Sequence, residues 1–255
     1  MTLEDLKQRP LSYSSLKEFA KSPVHYMAYL TKERKDSPEL IFGSALHCIL
    51  LTPDSFNDQF VVSRKFDLRK PADKEEYAAL VKDATDNKKK VIQDDMHTDL
   101  INLTNFVKEN KEFDTIMNNS TSICVETRQE KELFGLPFVY IKDIETADMT
   151  IDIKTVQNGS IEALNKDFFN YDYALQAAIY GGNFHFYVVE KNPPFYNGLI
   201  GVDKAWMDYG LNKLEKLCVA FNYCLEHPEN FTKSYNFWYD IQNTKPIISL
   251  PSWVK

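Results

Sequence analysis

The chain has 255 residues, 44% of them apolar and 26% charged, with 8 glycines and 11 prolines. That mix excludes a collagenous or low-complexity chain, and the length suffices for one large domain or two small ones whose core needs no staples. A formal net charge of -7 argues against a general nucleic-acid coat, while a local basic channel on an acidic body stays compatible with an enzyme acting on DNA.

The longest mainly apolar stretch, Leu40 to Leu51, contains His47 and falls short of the roughly 18 residues of a membrane span. The N-terminal MTLEDLKQRP lacks the apolar run of a signal peptide. Cys48, Cys124, Cys218 and Cys224 are too few for a disulfide scaffold and none stand in C-x-x-C spacing, which reads as a reduced, cytoplasmic chain.

Residues 12–30 read as a helix, with Ser15 and Glu18 as a capping box. Pro23 breaks it, and a second short helix carries Tyr26, Tyr29 and Leu30. KERKDSP at 32–38 is a polar loop, and a helix is expected from Gly43 to Leu51. The charge-rich stretch 64–90 reads in two ways. It is a solvated loop with an exposed helix face, or a mobile arm gripping DNA phosphates through Arg64, Lys65, Arg69 and Lys70. Residues 93–118 form another expected helix, with Leu100, Ile101, Leu103, Phe106 and Val107 on its apolar side. Strands follow at 122–128, 134–145 and 149–156, the last two as a hairpin about the ETAD turn. A helix at 171–182 ends in two glycines. Strands at 185–190 and 195–203 precede a long helix at 205–226 and an aromatic tail at 229–255 containing Trp238 and Trp253. No repeat or linker divides the chain. The expectation is an α/β chain with a central mixed sheet flanked by helices, read as one domain. Its parts are a helical N-terminal part (1–118), a sheet core (119–203), and a C-terminal helix and tail (204–255).

Asp143, Asp152 and Lys154 are the centre of interest. Residues two apart on a strand share a face, so Asp152 and Lys154 point the same way, and the hairpin folds Asp143 back to their level. Two carboxylates and an ammonium suit metal-assisted hydrolysis: oxygen ligands for a hard cation, and a positive charge beside the reacting phosphoryl group. D-x-K is by itself common and often only a solvated ion pair, but charges on a β-branched core strand need a reason. His47, in the apolar GSALHCILL, is either a hydrogen-bonded core residue or a metal ligand. Tyr173, Gln176 and Tyr180 share one helical face, either as a buried stripe or as a set aimed at a phosphate or base.

These residues, with SYSSLKEFAKSPVHY, FGSALHCILLTPDSF, YIKDIETADMTIDIKT, YDYALQAAIYGG, NPPFYNGLIGVD and LPSWVK, resemble the RecE-like exonucleases (exonuclease VIII) within the RecB-type PD-(D/E)xK nucleases. The resemblance spans roughly residues 10–255. It implies a restriction-endonuclease-like core and a Mg²⁺-dependent enzyme, with Mn²⁺ as substitute. That enzyme would degrade duplex DNA 5′→3′ from an end and leave a 3′ single strand. By motif, His47, Asp143 and Asp152 would be metal ligands, and Glu126 would match a family acid on the preceding strand. Lys154 would be the catalytic lysine, with Gln176 and Tyr180 completing the site near the DNA. The departure is Lys142, where the family has proline before the first acid. The resemblance further implies a ring-like homo-oligomer and a RecT-like annealing partner, in the cytoplasm of a bacterial host. The cysteines lack the clustering of the related iron–sulfur nucleases, so no cluster is expected. Other functions with the same core are a structure-specific endonuclease or nickase, and a degenerate DNA-binding or inhibitory module.

Overall fold

The computed structural model describes residues 2–32, 36–120, 122–234 and 236–243. The chain opens with helices α1 (Leu3–Gln8), α2 (Tyr13–Lys21), α3 (Pro23–Thr31) and α4 (Pro38–Leu51). Ser12, Ser22 and Ser37 precede three of them in extended backbone, each accepting from the N–H three residues on. Pro23 and Pro38 take the first helical positions, where a missing N–H costs nothing. Pro23 therefore starts a helix as well as ending one. The capping box is Ser12 with Ser15, whose Oγ accepts from the Ser12 N–H at 2.9 Å; Glu18 is instead paired with Lys21 at 2.8 Å. Helix α4 begins ahead of Gly43, because Ser37-Pro38 supplies a start that the apolar run does not show.

Next come α5 (Phe56–Gln59), β1 (Phe60–Ser63), α6 (Pro71–Asp86), β2 (Lys90–Gln93), α7 (Asp94–Glu109) and α8 (Lys111–Asp114). Strands β1 and β2 pair in parallel as a two-stranded sheet, with α6 as the crossover. The expected helix over 93–118 divides at Asn110, whose extended backbone stops α7 and whose side chain caps α8.

The main sheet has the order β3 (Cys124–Leu133), β4 (Leu136–Glu145), β5 (Thr150–Val156), β6 (Phe184–Glu190), β7 (Asn197–Gly201). Only β5 and β6 are parallel, joined through α9 (Ile161–Asn170) and α10 (Tyr173–Tyr180). Strand β3 runs past the expected end at 128. It turns into β4 through Phe134-Gly135, both at positive φ (51° and 75°), the twist a two-residue hairpin requires. That long ladder is the principal hairpin. The expected β4–β5 hairpin is paired only at Ile144↔Ile151 and Glu145↔Thr150.

Strand alternation sends the two faces of the sheet to two helical layers. Ile151, Ile153, Tyr187 and Val189 pack with Leu46, Ile49, Leu100 and Leu103 of α4 and α7. Phe138, on β4, packs with Phe19, Tyr26, Leu175, Ile179 and Phe221, bringing together α2, α3, α10 and the long helix α11 (Lys204–Glu226). Short helix α12 (Asn236–Ile241) adds Phe237 to that layer. The sheet is thus mixed and helix-flanked as expected. Trp253 and LPSWVK lie outside the described residues. No helix among the described residues is long and apolar enough to cross a membrane.

Helices α10 and α11 cross closely at Gly210, where an added Cβ would meet the Ala174 carbonyl oxygen at 2.2 Å. A backbone atom cannot step aside cheaply. Gly210→Ala is expected to destabilise the protein by about 1–3 kcal/mol, the usual cost of overpacking, read from urea unfolding.

Candidate metal centre and active site

Strand β4 opens at Asp143. On one side, Glu126 stands opposite Asp143 in the β3–β4 register, but the pairing skips this position and Glu126 holds φ +48°. Left-handed backbone in a non-glycine residue costs about 1–3 kcal/mol and concentrates at functional sites. On the other side the ladder to β5 ends at Ile144↔Ile151, one step short of Asp143 facing Asp152. The Asp143 carboxylate fills that opening: its Oδ2 accepts from the Ile153 N–H at 2.6 Å. A side chain thus replaces a ladder bond, and the two strands splay around a buried acid.

His47 reaches the same opening from α4. Its Nε2 lies 3.0 Å from the Ile153 carbonyl, which can only accept, so that nitrogen carries a proton. Its Nδ1 lies 3.5 Å from Asp143 Oδ1 and 3.9 Å from Glu126 Oε1. Burial works against a charged imidazole. Asp143, through its charge and a hydrogen bond, outweighs this together with Asp152 and raises the pKa to about 9. The same imidazolium, with Lys154, holds the Asp143 carboxyl below its ordinary value despite burial. Burial and the neighbouring Asp143 charge raise that of Glu126.

One ligand atom from each of His47, Glu126 and Asp143 lies within 4.8 Å of the others. One imidazole nitrogen and two carboxylate oxygens suit a divalent cation such as Mg²⁺ or Mn²⁺. Taking such an ion requires His47 Nδ1 to release its proton, which couples binding to pH.

Asp152 stands beside this trio and outside it. Its Oδ1 accepts from Gln176 Nε2 at 2.6 Å, and its Oδ2 lies 2.6 Å from Lys154 Nζ. That Oδ2 is buried with the Lys154 ammonium as its partner, and Gln176 Oε1 is buried without a hydrogen-bond partner. Both atoms have capacity for a further ligand, which fits a metal or a polar substrate at this edge. Burial raises the Asp152 pKa, with Asp143 adding to the effect. Burial opposes the charge on Lys154, but Asp152 and Asp143 raise its pKa overall, so the ammonium persists. The far side of Lys154 rests on the Tyr173 ring, 4.5 Å from Nζ to centroid. Tyr180 stacks on Tyr140 at 5.0 Å, and burial raises its hydroxyl to about 12, so it stays a neutral phenol.

A cleft of about 550 Å³ opens onto these groups, lined by His47, Glu126, Lys154 and Tyr173 among others. The structure therefore gathers His47, Glu126, Asp143, Asp152, Lys154 and Gln176. Tyr173, noticed in the sequence only as part of a stripe, joins them because α10 starts directly above Lys154. Arg64, Lys65, Arg69 and Lys70 are elsewhere, and none lines the cleft. Arg64 pairs with Asp73 and Glu76, Lys65 with Asp95, and Arg69 and Lys70 with Asp67. Any phosphate contact there would exchange a carboxylate for a phosphate. Lys142, the departure from the family pattern, is buried and paired with Glu145, away from Asp143.

A family model described as "PDDEXK-like domain of unknown function (DUF3799)" matches residues 12–236. No curated protein matches the chain. Among solved structures, the fold is similar to a crystal structure from Eubacterium rectale of a protein provisionally named an exonuclease. The TM-score is 0.61 at 14% identity, covering 98% of this chain and 93% of that one.

Proposed function

The chain belongs to the PDDEXK-like family DUF3799, and on that premise we propose that it is a divalent-metal-dependent DNA nuclease. More narrowly, we propose a Mg²⁺-dependent 5′→3′ exonuclease acting on duplex ends, with residues 1–255 as one nuclease domain. The observation that carries the reading is the opening at Asp143, where His47, Glu126 and Asp143 meet the Asp152–Lys154 pair. The similar Eubacterium rectale protein, provisionally named an exonuclease, supports the choice of an exonuclease within this reading.

In this reading His47, Glu126 and Asp143 would hold the cation, with Asp152 beside them. When bound, the cation supplies Lewis acidity to a phosphoryl oxygen and acidifies water. Lys154 directs its ammonium at the negative charge that grows on the phosphate in the transition state. Its place is set before substrate arrives, because Asp152 holds it on one side and the Tyr173 ring on the other. Gln176 in turn fixes Asp152, so the donor is preorganised at no cost during reaction. Tyr180 remains a neutral hydroxyl at the end of the same helical face.

The experiment is digestion of linear duplex DNA labelled at the 5′ or the 3′ end, with Mg²⁺, Mn²⁺ or chelator. Early release of 5′ label as mononucleotides, only with metal, is the expected result. Cutting of covalently closed plasmid would replace the exonuclease by an endonuclease or nickase, and DNA binding without cleavage would leave a non-catalytic module. The proposal extends to a ring-like homo-oligomer and a RecT-like annealing partner in a bacterial cytoplasm. An acidic chain must gather its cations to hold DNA, and a ring does so on its inner wall. Light scattering is expected to give a multiple of the protomer mass; a stable monomer would refute the ring.

A further inference from the structure

Beyond Tyr173 the aromatic surface continues into solvent. Tyr171 stacks on Tyr173 with ring centroids 5.6 Å apart and planes inclined at 26°. Phe169, two residues earlier, meets Tyr209 of α11 at 6.0 Å. Phe169 is 65% exposed, Tyr171 55% and Tyr209 46%. Single exposed rings are ordinary on a protein surface. Two ring pairs carried by the segment 169–173, which adjoins the lysine of a cleft, are not scattered.

The local backbone is built to present them. The Asp172 N–H closes a turn onto the Phe169 carbonyl at 3.0 Å, and Asp172 holds φ +63°. Its side chain does not cap α10, the usual use of an aspartate there, but pairs with Lys213 at 2.8 Å. Tyr13 supports the other end: its hydroxyl donates to the Tyr171 carbonyl, and its ring lies 6.3 Å from that of Tyr173. Cations accompany the rings. Lys17 Nζ lies 5.2 Å from the Tyr13 centroid, Lys213 is one turn beyond Tyr209, and Lys154 is at the inner end.

We propose that Tyr171, Phe169 and Tyr209 form a stacking surface for the unpaired bases of a single DNA strand entering or leaving the cleft. The proposal rests on the nuclease reading and places part of the substrate. Exposed flat π faces leading from the Lys154 ammonium match a chain of bases and phosphates, and stacking tolerates any base sequence. The run of contacts from Lys154 through Tyr173 to Tyr171, with the exposed Phe169–Tyr209 pair two residues away along the chain, is what selects a nucleic-acid strand over other occupants.

The test uses the full chain in chelator, so that binding is read without cleavage. The probe is a 5′-fluorescein oligothymidylate followed by anisotropy, with wild type, Phe169→Ala, Tyr209→Ala and the double variant. Each ring lost is expected to raise Kd about tenfold, with unchanged thermal melting because both rings are exposed. A bromodeoxyuridine probe is expected to crosslink to Tyr171 or Phe169 under ultraviolet light. Wild-type affinity in the double variant would overturn the proposal. So would loss of self-association in that variant, by light scattering, with oligonucleotide binding intact, since the rings would then join copies of the chain. Cleavage of linear duplex by the wild type is scored separately. Ring-dependent binding without cleavage would refute the nuclease reading alone. Cleavage with ring-independent binding would refute the stacking surface alone.

Discussion

Lys154→Ala is expected to lower turnover on linear duplex DNA by about 10²–10³-fold, the usual loss when one preorganised donor to a developing anion is removed. The variant also strands Asp152. Its Oδ2 is buried, and its close partner is the Lys154 ammonium at 2.6 Å. Removing one partner of a buried pair costs about 3–5 kcal/mol, so lost activity alone would not separate chemistry from folding. The paired variant Asp152→Asn/Lys154→Met does separate them. It removes both charges together and is expected to regain most of the stability in urea unfolding while staying inactive. Activity near wild type in a folded Lys154→Ala protein would withdraw the lysine from the reaction.

Glu126→Gln and His47→Ala are expected to weaken Mn²⁺ binding at least tenfold, because each removes or cripples one of three donor atoms that lie within 4.8 Å. Titration calorimetry reads this directly, without substrate. The two changes should differ in stability. His47 is bonded to the Ile153 carbonyl and faces Asp143, so its loss removes two buried interactions. Glu126 is partly exposed and holds strained backbone, so Glu126→Gly should be tolerated by the fold while still losing metal. Unchanged Mn²⁺ affinity in both variants would return His47 to a core role and Glu126 to a surface one.

Much of this protein is legible in residue types and spacing. The strand period places Asp152 and Lys154 on one face, the helical period aligns Tyr173, Gln176 and Tyr180, and Gly181-Gly182 ends their helix at positive φ. Such features are local, decided by the chain's own stereochemistry within one element. Local signals mislead where two elements or competing turns decide. Ser15 read as a cap because Glu18 follows it, yet Ser12 wins the position and Glu18 is drawn to Lys21. The Phe134-Gly135 turn carries no strong hairpin pair, so residue types suggest a shorter β3 and a longer β4–β5 pairing than the structure has. The basic appearance of 64–70 is cancelled by Asp67, Asp73, Glu76 and Asp95, some of them brought back only by folding.

What the sequence alone determined, then, is which titratable groups stand at chemically suggestive spacing and which of them share an element. Only the tertiary structure decided that they meet. Glu126 could be offered from the sequence only by resemblance, because its nearness to His47 depends on a left-handed kink in β3, on the splaying of β4 from β5, and on α4 crossing that gap. Those three events occur on segments far apart in the chain, and burial of Ile144, Ile151 and Ile153 against α4 and α7 fixes them together. No local period encodes that packing, since it arises from the shape of the whole core.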